Sequence, residues 1–197
     1  MSNKRHALAD FFAKEVATDS GAGEVEFLVQ PNLDFLNIRG SPQRQEFLDV
    51  AKRHLGQELP LKPNTFDAGP HTIYWLGPDE WLVVSLNNLR GVHGRMAVDL
   101  SKVGGGVSQM GGGFVGIRVG GTAAEAVLRK GCTLDFHPDR FPAGSCAQTG
   151  LAKATVLIGR YESQGIFDVI VRRSFADYLA YWFREAAEEF GASFLVK

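Results

Sequence analysis

Thr72-Ile-Tyr-Trp-Leu-Gly-Pro-Asp-Glu-Trp-Leu-Val-Val-Ser-Leu86 is the stretch that decides the fold of this chain. Two runs rich in β-branched and aromatic residues, Thr72 to Leu76 and Trp81 to Leu86, flank Gly77-Pro78-Asp79-Glu80. Proline presets φ at the second position of a tight turn, and Gly and Asp tolerate the bends around it. The stretch therefore predicts an antiparallel hairpin. Upstream, Val25, Phe27 and Val29 alternate with Glu24, Glu26 and Leu28, the period of a half-buried strand, and Phe35 to Arg39 predicts a second strand closed by Gly40. Ser41-Pro42 then places a capping hydroxyl and a preset φ before the stripe Phe47, Leu48, Ala51 and Leu55, a helix stopped at Gly56. A further helix is expected at the N-terminus over His6 to Val16, and Pro60 to Pro70 reads as a proline-rich loop.

Downstream, Asn87 to Gly94 reads as a loop and Met96 to Leu100 as a short strand. Six glycines occupy the ten positions from Gly104 to Gly113, which reads as a hairpin tip leading into the strand Val115 to Val119. Thr122-Ala-Ala-Glu125 has the spacing of a capping box, opening a helix to Lys130. Ala154 to Arg160 and Phe167 to Arg172 predict another hairpin. Ser174 is placed to cap a helix through Phe190, with Gly191 as its stop, and Ser193 to Val196 a final strand rejoining the sheet. Helices returning onto meandering strands predict an α+β protein with mostly antiparallel sheets. The element order divides the chain into an N-terminal half, 1–94, and a C-terminal half, 95–197, packed tightly enough to count as one domain.

The 197 residues suffice for a packed core without disulfides. Cys132 and Cys146 are read as free structural thiols. Lys and Arg balance Asp and Glu to a net charge of −1, which gives no field to hold nucleic acid or an anionic membrane. No apolar run is long enough for a membrane helix, and Met1 to Asp10 lacks a secretory core, so a cytoplasmic protein is expected.

Few motifs in the chain point to chemistry. Gly111-Gly-Gly113-Phe-Val-Gly116 matches G-x-G-x-x-G, but a dinucleotide loop follows a strand and opens a helix, whereas these glycines lead into a strand. His6, His54, His71, His93 and His137 lack metal-ligand spacing. Cys132, His137 and Cys146 are only a weak metal set. Asp99, Asp135 and Asp168 are single carboxylates, each either a general base or a cap or turn acceptor. Trp75, Trp81, Tyr178, Tyr181, Trp182 and Phe183 either stack a flat ligand such as a pterin or belong to the core. Arg172 and Arg173 beside Ser174 either hold an anion at a helix N-terminus or are solvated strand-end charges. No catalytic, cofactor-binding or metal-binding residue is assigned.

Several motifs in order carry a family likeness: Asn37-Ile-Arg-Gly-Ser-Pro42, Leu59-Pro60 with Pro63-Asn-Thr65, Trp75-Leu-Gly-Pro-Asp-Glu-Trp-Leu-Val83, Val98-Asp-Leu-Ser101, Lys130-Gly-Cys-Thr-Leu-Asp-Phe-His137, Phe141-Pro-Ala-Gly144 with Ala147-Gln-Thr149, and Val171-Arg-Arg-Ser-Phe-Ala-Asp-Tyr178. Together, over about residues 7 to 190, they resemble the gamma subunit of heterotetrameric sarcosine oxidase. Gly104 to Gly113 departs from the shorter hairpin that the resemblance implies. The Lys130-Gly-Cys132 motif is also similar to the iron–sulfur repair proteins, but Thr133-Leu-Asp-Phe follows where those continue Gly-Gln-Glu.

The resemblance implies two ferredoxin-like α/β units of the folate-binding aminomethyltransferase kind, related to the glycine-cleavage T-protein. It implies a cytoplasmic heterotetramer of alpha, beta, gamma and delta subunits in sarcosine catabolism. In that complex FAD on beta oxidises the N-methyl group of sarcosine, covalently held FMN passes electrons to oxygen to give hydrogen peroxide, and the imine product meets tetrahydrofolate on alpha to give methylenetetrahydrofolate and glycine. NAD sits on alpha and zinc on delta. No catalytic residue falls to gamma, which is expected to be a non-catalytic assembly subunit. A stand-alone folate-binding one-carbon transferase and an interaction module unrelated to sarcosine remain alternatives.

Overall fold

The computed structural model describes residues 8, 11, 23–30, 32–86, 89–162 and 165–196, with Arg90 by its backbone alone. Of the helix expected over His6 to Val16, only Leu8 and Phe11 fall among them, both fully buried; the rest lies outside the described residues. The described residues form eleven strands, β1 Val25–Val29, β2 Asp34–Arg39, β3 Phe66–Ala68, β4 Thr72–Gly77, β5 Glu80–Ser85, β6 Gly106–Gln109, β7 Phe114–Gly120, β8 Cys146–Leu151, β9 Ala154–Arg160, β10 Phe167–Arg172 and β11 Ala192–Val196. Among the described residues the α-helices that accompany them are α1 Gln45–Leu55, α2 Arg90–Lys102, α3 Ala124–Arg129 and α4 Ala176–Ala187.

The expected division at residue 94 is corrected. One compact unit takes Met1–Pro31, Gly113–Ala143 and Gln148–Lys197; the other takes Asn32–Gly112 and Gly144–Ala147. The second is thus threaded into the first. The reason is strand pairing, because β1 joins β7 and β11 far along the chain, while β2 joins β6 across residue 94.

The first unit carries a six-stranded sheet in the order β11-β1-β7-β10-β9-β8, in which β1 and β11 run parallel while β1–β7, β7–β10 and β10–β9 are antiparallel. The register sets Phe27, Val119 and Phe167 in one row across β1, β7 and β10, and Val29, Ile117 and Val169 in another, so these residues share one face. Phe27 meets Phe183 of α4 at 4.7 Å between ring centroids and stacks on Phe194 at 4.7 Å. At the start of α3 the capping box does not form. Thr122 Oγ1 donates to Glu24 Oε2 at 3.3 Å, and the Glu125 carboxylate meets Arg129 at 2.8 Å and Arg160 at 3.5 Å. Nor does Ser174 cap α4: it sits in a short 3-10 turn, Arg173–Phe175, ahead of it.

The second unit carries a five-stranded sheet, β3-β4-β5-β2-β6, with β4–β5 as the expected hairpin. Leu36, Ile38, Ile73, Trp81 and Val83 of the sheet pack with Phe47, Val50, Ala51 and Leu55 of α1 and with Met96 and Leu100 of α2. The strand expected over Met96 to Leu100 is therefore a helix. In a strand Met96, Val98 and Leu100 would share a face; here Met96 and Leu100, one turn apart, are fully buried while Val98 is 58% exposed. α1 starts at Gln45 rather than Pro42, because Arg44 N donates to Ser41 O at 3.1 Å in a turn and no side chain caps the helix. Gly56 ends α1 at φ 72 as expected. Pro60 to Pro70 contains β3, and Gly104 to Gly113 contains β6 rather than a hairpin tip. β6 pairs with β2, whereas β7 belongs to the other sheet.

The Phe47 ring sets how close β2 and the chain before β6 lie. A Cβ at Gly40 would stand 2.2 Å from its Cε2, and one at Gly105 would stand 2.7 Å from its Cδ2. Two glycine backbones therefore close over a ring that is fully buried and tilted against Trp81 at 5.8 Å. Gly106, one residue on, faces open space. Gly105→Ala is expected to destabilise the protein by about 1–3 kcal/mol through overpacking, and Gly106→Ala to be neutral or slightly stabilising. Denaturant unfolding of the two variants checks this; equal effects would contradict the close approach.

Candidate functional site

One open cleft, of about 540 Å³, lies in the second unit where the end of β2, the β4–β5 turn and the glycines before β6 meet. Arg39, Gly40, Ser41, Pro42, Gln43, Pro78, Asp79 and Gly104 to Gly106 line it. Its polar groups largely hold one another. Gly40 N donates to Asp79 O at 3.0 Å, Ser41 Oγ donates to Gln43 Oε1 at 2.6 Å, and Arg39 pairs with Glu80 at 2.7 Å. Glu80 also accepts from Asn37 Nδ2 at 2.8 Å, and these bonds hold its carboxyl below the usual range. Hydroxyls and neutralised charges in an open trough suit surface contact better than an acid–base step, which needs a desolvated group aimed at a reacting atom.

The residues singled out in the sequence are dispersed among structural tasks. Trp75 and Trp81 face each other across β4 and β5, and Trp81, fully buried, donates its indole N–H to Pro60 O at 2.8 Å. Tyr181 meets Phe11 edge-on at 5.1 Å, Tyr178 Oη accepts from Lys153 N at 3.3 Å, and Trp182 lies against Gly131, where a Cβ would stand 2.5 Å from its ring. The aromatics therefore line cores and helix contacts rather than a stacking pocket. Asp168 receives both arms of the Arg118 guanidinium, at 2.8 and 3.2 Å, and the Tyr161 hydroxyl at 2.7 Å. Asp99 is shared by His54 at 3.0 Å and Lys102 at 3.0 Å, and Asp135 accepts His137 N at 2.9 Å in a turn. Arg172 lies over the Phe114 ring at 5.8 Å, and Arg173 N donates to Gly113 O at 2.9 Å. Gly111 to Gly116 leads into β7. His6 lies outside the described residues. Among the described residues no three His, Cys, Asp or Glu side chains gather in a group that could hold a metal, and no helix is long and apolar enough to cross a membrane.

Two features escaped the sequence. The Cys146 thiol, buried, donates to Thr65 O at 3.3 Å and Trp75 O at 3.6 Å; burial pushes its pKa up to about 12. No spacing rule brings residues 65, 75 and 146 together. Likewise Gln57, His71 and Ser85 meet: His71 Nδ1 lies 2.9 Å from Ser85 Oγ, and His71 N donates to Gln57 Oε1 at 2.9 Å. Gln57 Nε2 is buried without a partner among the described residues. Burial holds the His71 pKa below its ordinary 6.5.

Thiolate is the reactive form, so Cys146 of the folded chain is expected to resist iodoacetamide at pH 8 and to react only on unfolding. Peptide mass analysis after timed labelling checks this. For His71 the native state resists a proton that the unfolded chain accepts near 6.5. Its stabilising effect is therefore complete above that value and is lost as pH falls toward the lowered native pKa. Thermal unfolding between pH 7.5 and 5.5 should fall less steeply in His71→Gln than in the natural chain; parallel curves would refute it.

Comparison with known proteins places this architecture. The model of the sarcosine oxidase, gamma subunit family matches residues 39–189. The chain is similar to sarcosine oxidase subunit gamma of Corynebacterium sp. (strain U-96), 31% identical over 194 residues and covering 95% of this chain and 90% of that protein. It is also similar to its counterpart from Corynebacterium sp. (strain P-1), 27% identical with 95% and 92% covered. Its structure resembles a chain of the heterotetrameric sarcosine oxidase from Corynebacterium sp. U-96, solved in complex with pyrrole 2-carboxylate, at TM-score 0.85 and 25% identity, with 96% and 97% of the two chains covered. The glycine cleavage system aminomethyltransferase T from Bartonella henselae shares the fold at TM-score 0.61 and 14% identity, over 88% of this chain and 48% of that one. The two-unit α+β architecture is thus of the T-protein kind, as expected from the sequence motifs. With the family model matching well over half its length, the chain belongs to the sarcosine oxidase gamma subunit family.

Proposed function

We propose that this chain is the gamma subunit of a heterotetrameric sarcosine oxidase and serves its assembly rather than its chemistry. The observation that carries this reading is the end-to-end likeness to one chain of such an enzyme, at TM-score 0.85 over 96% of the residues. The site geometry supports the non-catalytic part. Asp168 and Asp99 are held by cations, Cys146 is a buried high-pKa thiol, and the open cleft presents an arginine already paired with Glu80. Groups satisfied in this way hold a fold together and leave no proton or nucleophile poised for substrate.

On this reading the partners are the alpha, beta and delta subunits. The overall reaction converts sarcosine, oxygen and tetrahydrofolate into glycine, hydrogen peroxide and methylenetetrahydrofolate. FAD, FMN, NAD, tetrahydrofolate and zinc belong to the other subunits, and the protein works in the cytoplasm. The fold shared with aminomethyltransferase T carries no transferase activity by itself, since one architecture hosts unrelated functions. Co-expression with the large and flavin-bearing subunits, followed by capture through a tag on this chain, is expected to recover a complex with sarcosine-dependent peroxide production. The isolated chain should show no heat on titration with tetrahydrofolate. An active complex that never contains this chain would sink the reading.

A further inference from the structure

We propose that the outer edge of β6, Gly106–Gln109, is a strand-addition site through which an extended segment of a partner subunit joins the five-stranded sheet. The proposal rests on the subunit reading above and names where the partner binds. β6 is the last strand in the order β3-β4-β5-β2-β6, so among the described residues one side of its backbone has no strand beside it. Opposed residues in an antiparallel ladder alternate between bonded and non-bonded pairs. Met110 N donates to Phe35 O at 2.9 Å, and this pair continues the register Leu36 with Gln109 and Ile38 with Val107. Ser108 and Gly106 therefore turn their backbone groups toward β2. Val107 and Gln109 turn theirs outward.

Soluble proteins blunt such edges with charge, proline or a bulge. This edge has none of these: from Val103 to Ile117 there is no Lys, Arg, Asp, Glu or Pro. Gly106, Ser108 and Gln109 are exposed, whereas Val107 is half-buried and packs against the core of its unit, which holds the strand in place. A Cβ at Gly106 or Gly112 would meet nothing, so an incoming backbone finds no side chain in its way. The β3 and β8 edges are better guarded. β3 has three residues and an exposed Asp67, and isolated bridges meet the chain at both ends of β8, Thr65 with Ser145 and Cys132 with Leu151.

The occupant is set by chemistry and by size. Alternating outward N–H and C=O groups pair with an extended backbone and with little else. A second copy would offer the same four-residue ribbon between glycines, far short of the roughly 800 Å² per partner that a stable association buries. A partner subunit brings further surface, and its strand needs only to add to it.

The test compares hydrogen exchange, resolved to single amides, in the free chain and in the complex obtained by co-expression. Val107 and Gln109 amides should slow by about tenfold or more in the complex, while Ser108 is slow in both. Gln109→Pro removes an outward donor without taking a bond from β2. It is expected to weaken retention in the complex by about tenfold, with Gln109→Ala retained and the unfolding midpoint of the free variant near that of the natural chain. If the proline variant unfolds, the exchange pattern of the natural chain decides. Unchanged exchange at Val107 and Gln109 in a complex that holds the chain overturns the edge site and leaves the subunit reading intact. Failure of the chain to enter any complex overturns both, and slow exchange at these amides in a homodimer of the free chain overturns the choice of partner.

Discussion

The parallel pairing of β1 with β11 is the constraint on which the first unit depends. Five residue pairs, Val25 with Ala192 through Val29 with Val196, join strands that lie nearly the whole chain apart. Without it β1 would be the edge of its sheet, and Phe27 would lose the stacked Phe194 ring. The unit therefore closes only after β11 has been made, with residues 32–112 inserted in sequence between β1 and β7. Loop-closure entropy must be met before such a contact yields anything, so folding of this unit is governed by non-local pairing. The inserted unit is more local. Its sheet draws on β2 to β6, its core on two helices within the same stretch, and the bond between Met110 N and Phe35 O ties its exit strand to its entry strand.

Much of this was legible where a local rule and the tertiary structure agree. The β4–β5 and β9–β10 hairpins, β1, β2, β7, β11, α1 and α4 follow from turn chemistry and apolar period. What was hidden depends on partners distant in sequence. Met96, Val98 and Leu100 alternate like a strand, and only the burial of Met96 and Leu100 with Val98 outside shows a helix. β6 has no apolar alternation and is made a strand by the register of β2. Thr122 and Glu125 have capping spacing, yet Glu24, Arg129 and Arg160 compete successfully for their side chains. The break at residue 94 failed for the same reason, since chain order says nothing of which strands pair.

The functional picture follows a similar division. Motif order indicates the family, while no motif in the sequence singles out a site residue. Arg118 with Asp168 illustrates why the individual residues were ambiguous. A lone aspartate in an apolar run reads as a general base or as a cap or turn acceptor, and only the guanidinium from β7 and the phenol of Tyr161, just past β9, show it held in an ion pair. Glycine abundance was similarly two-sided: Gly40 and Gly105 serve contact with Phe47, whereas Gly106 and Gly112 leave a backbone edge uncovered.

The surroundings of Cys146 have a consequence for durability. Peroxide oxidises cysteine through its thiolate, and a thiol pushed up to about 12, enclosed by the carbonyls of Thr65 and Trp75, offers almost none at neutral pH. Cys132 is buried as well. A chain that meets peroxide would thus offer it almost no thiolate at Cys146, so sulfenic or sulfinic acid damage at that sulfur need not limit its working lifetime.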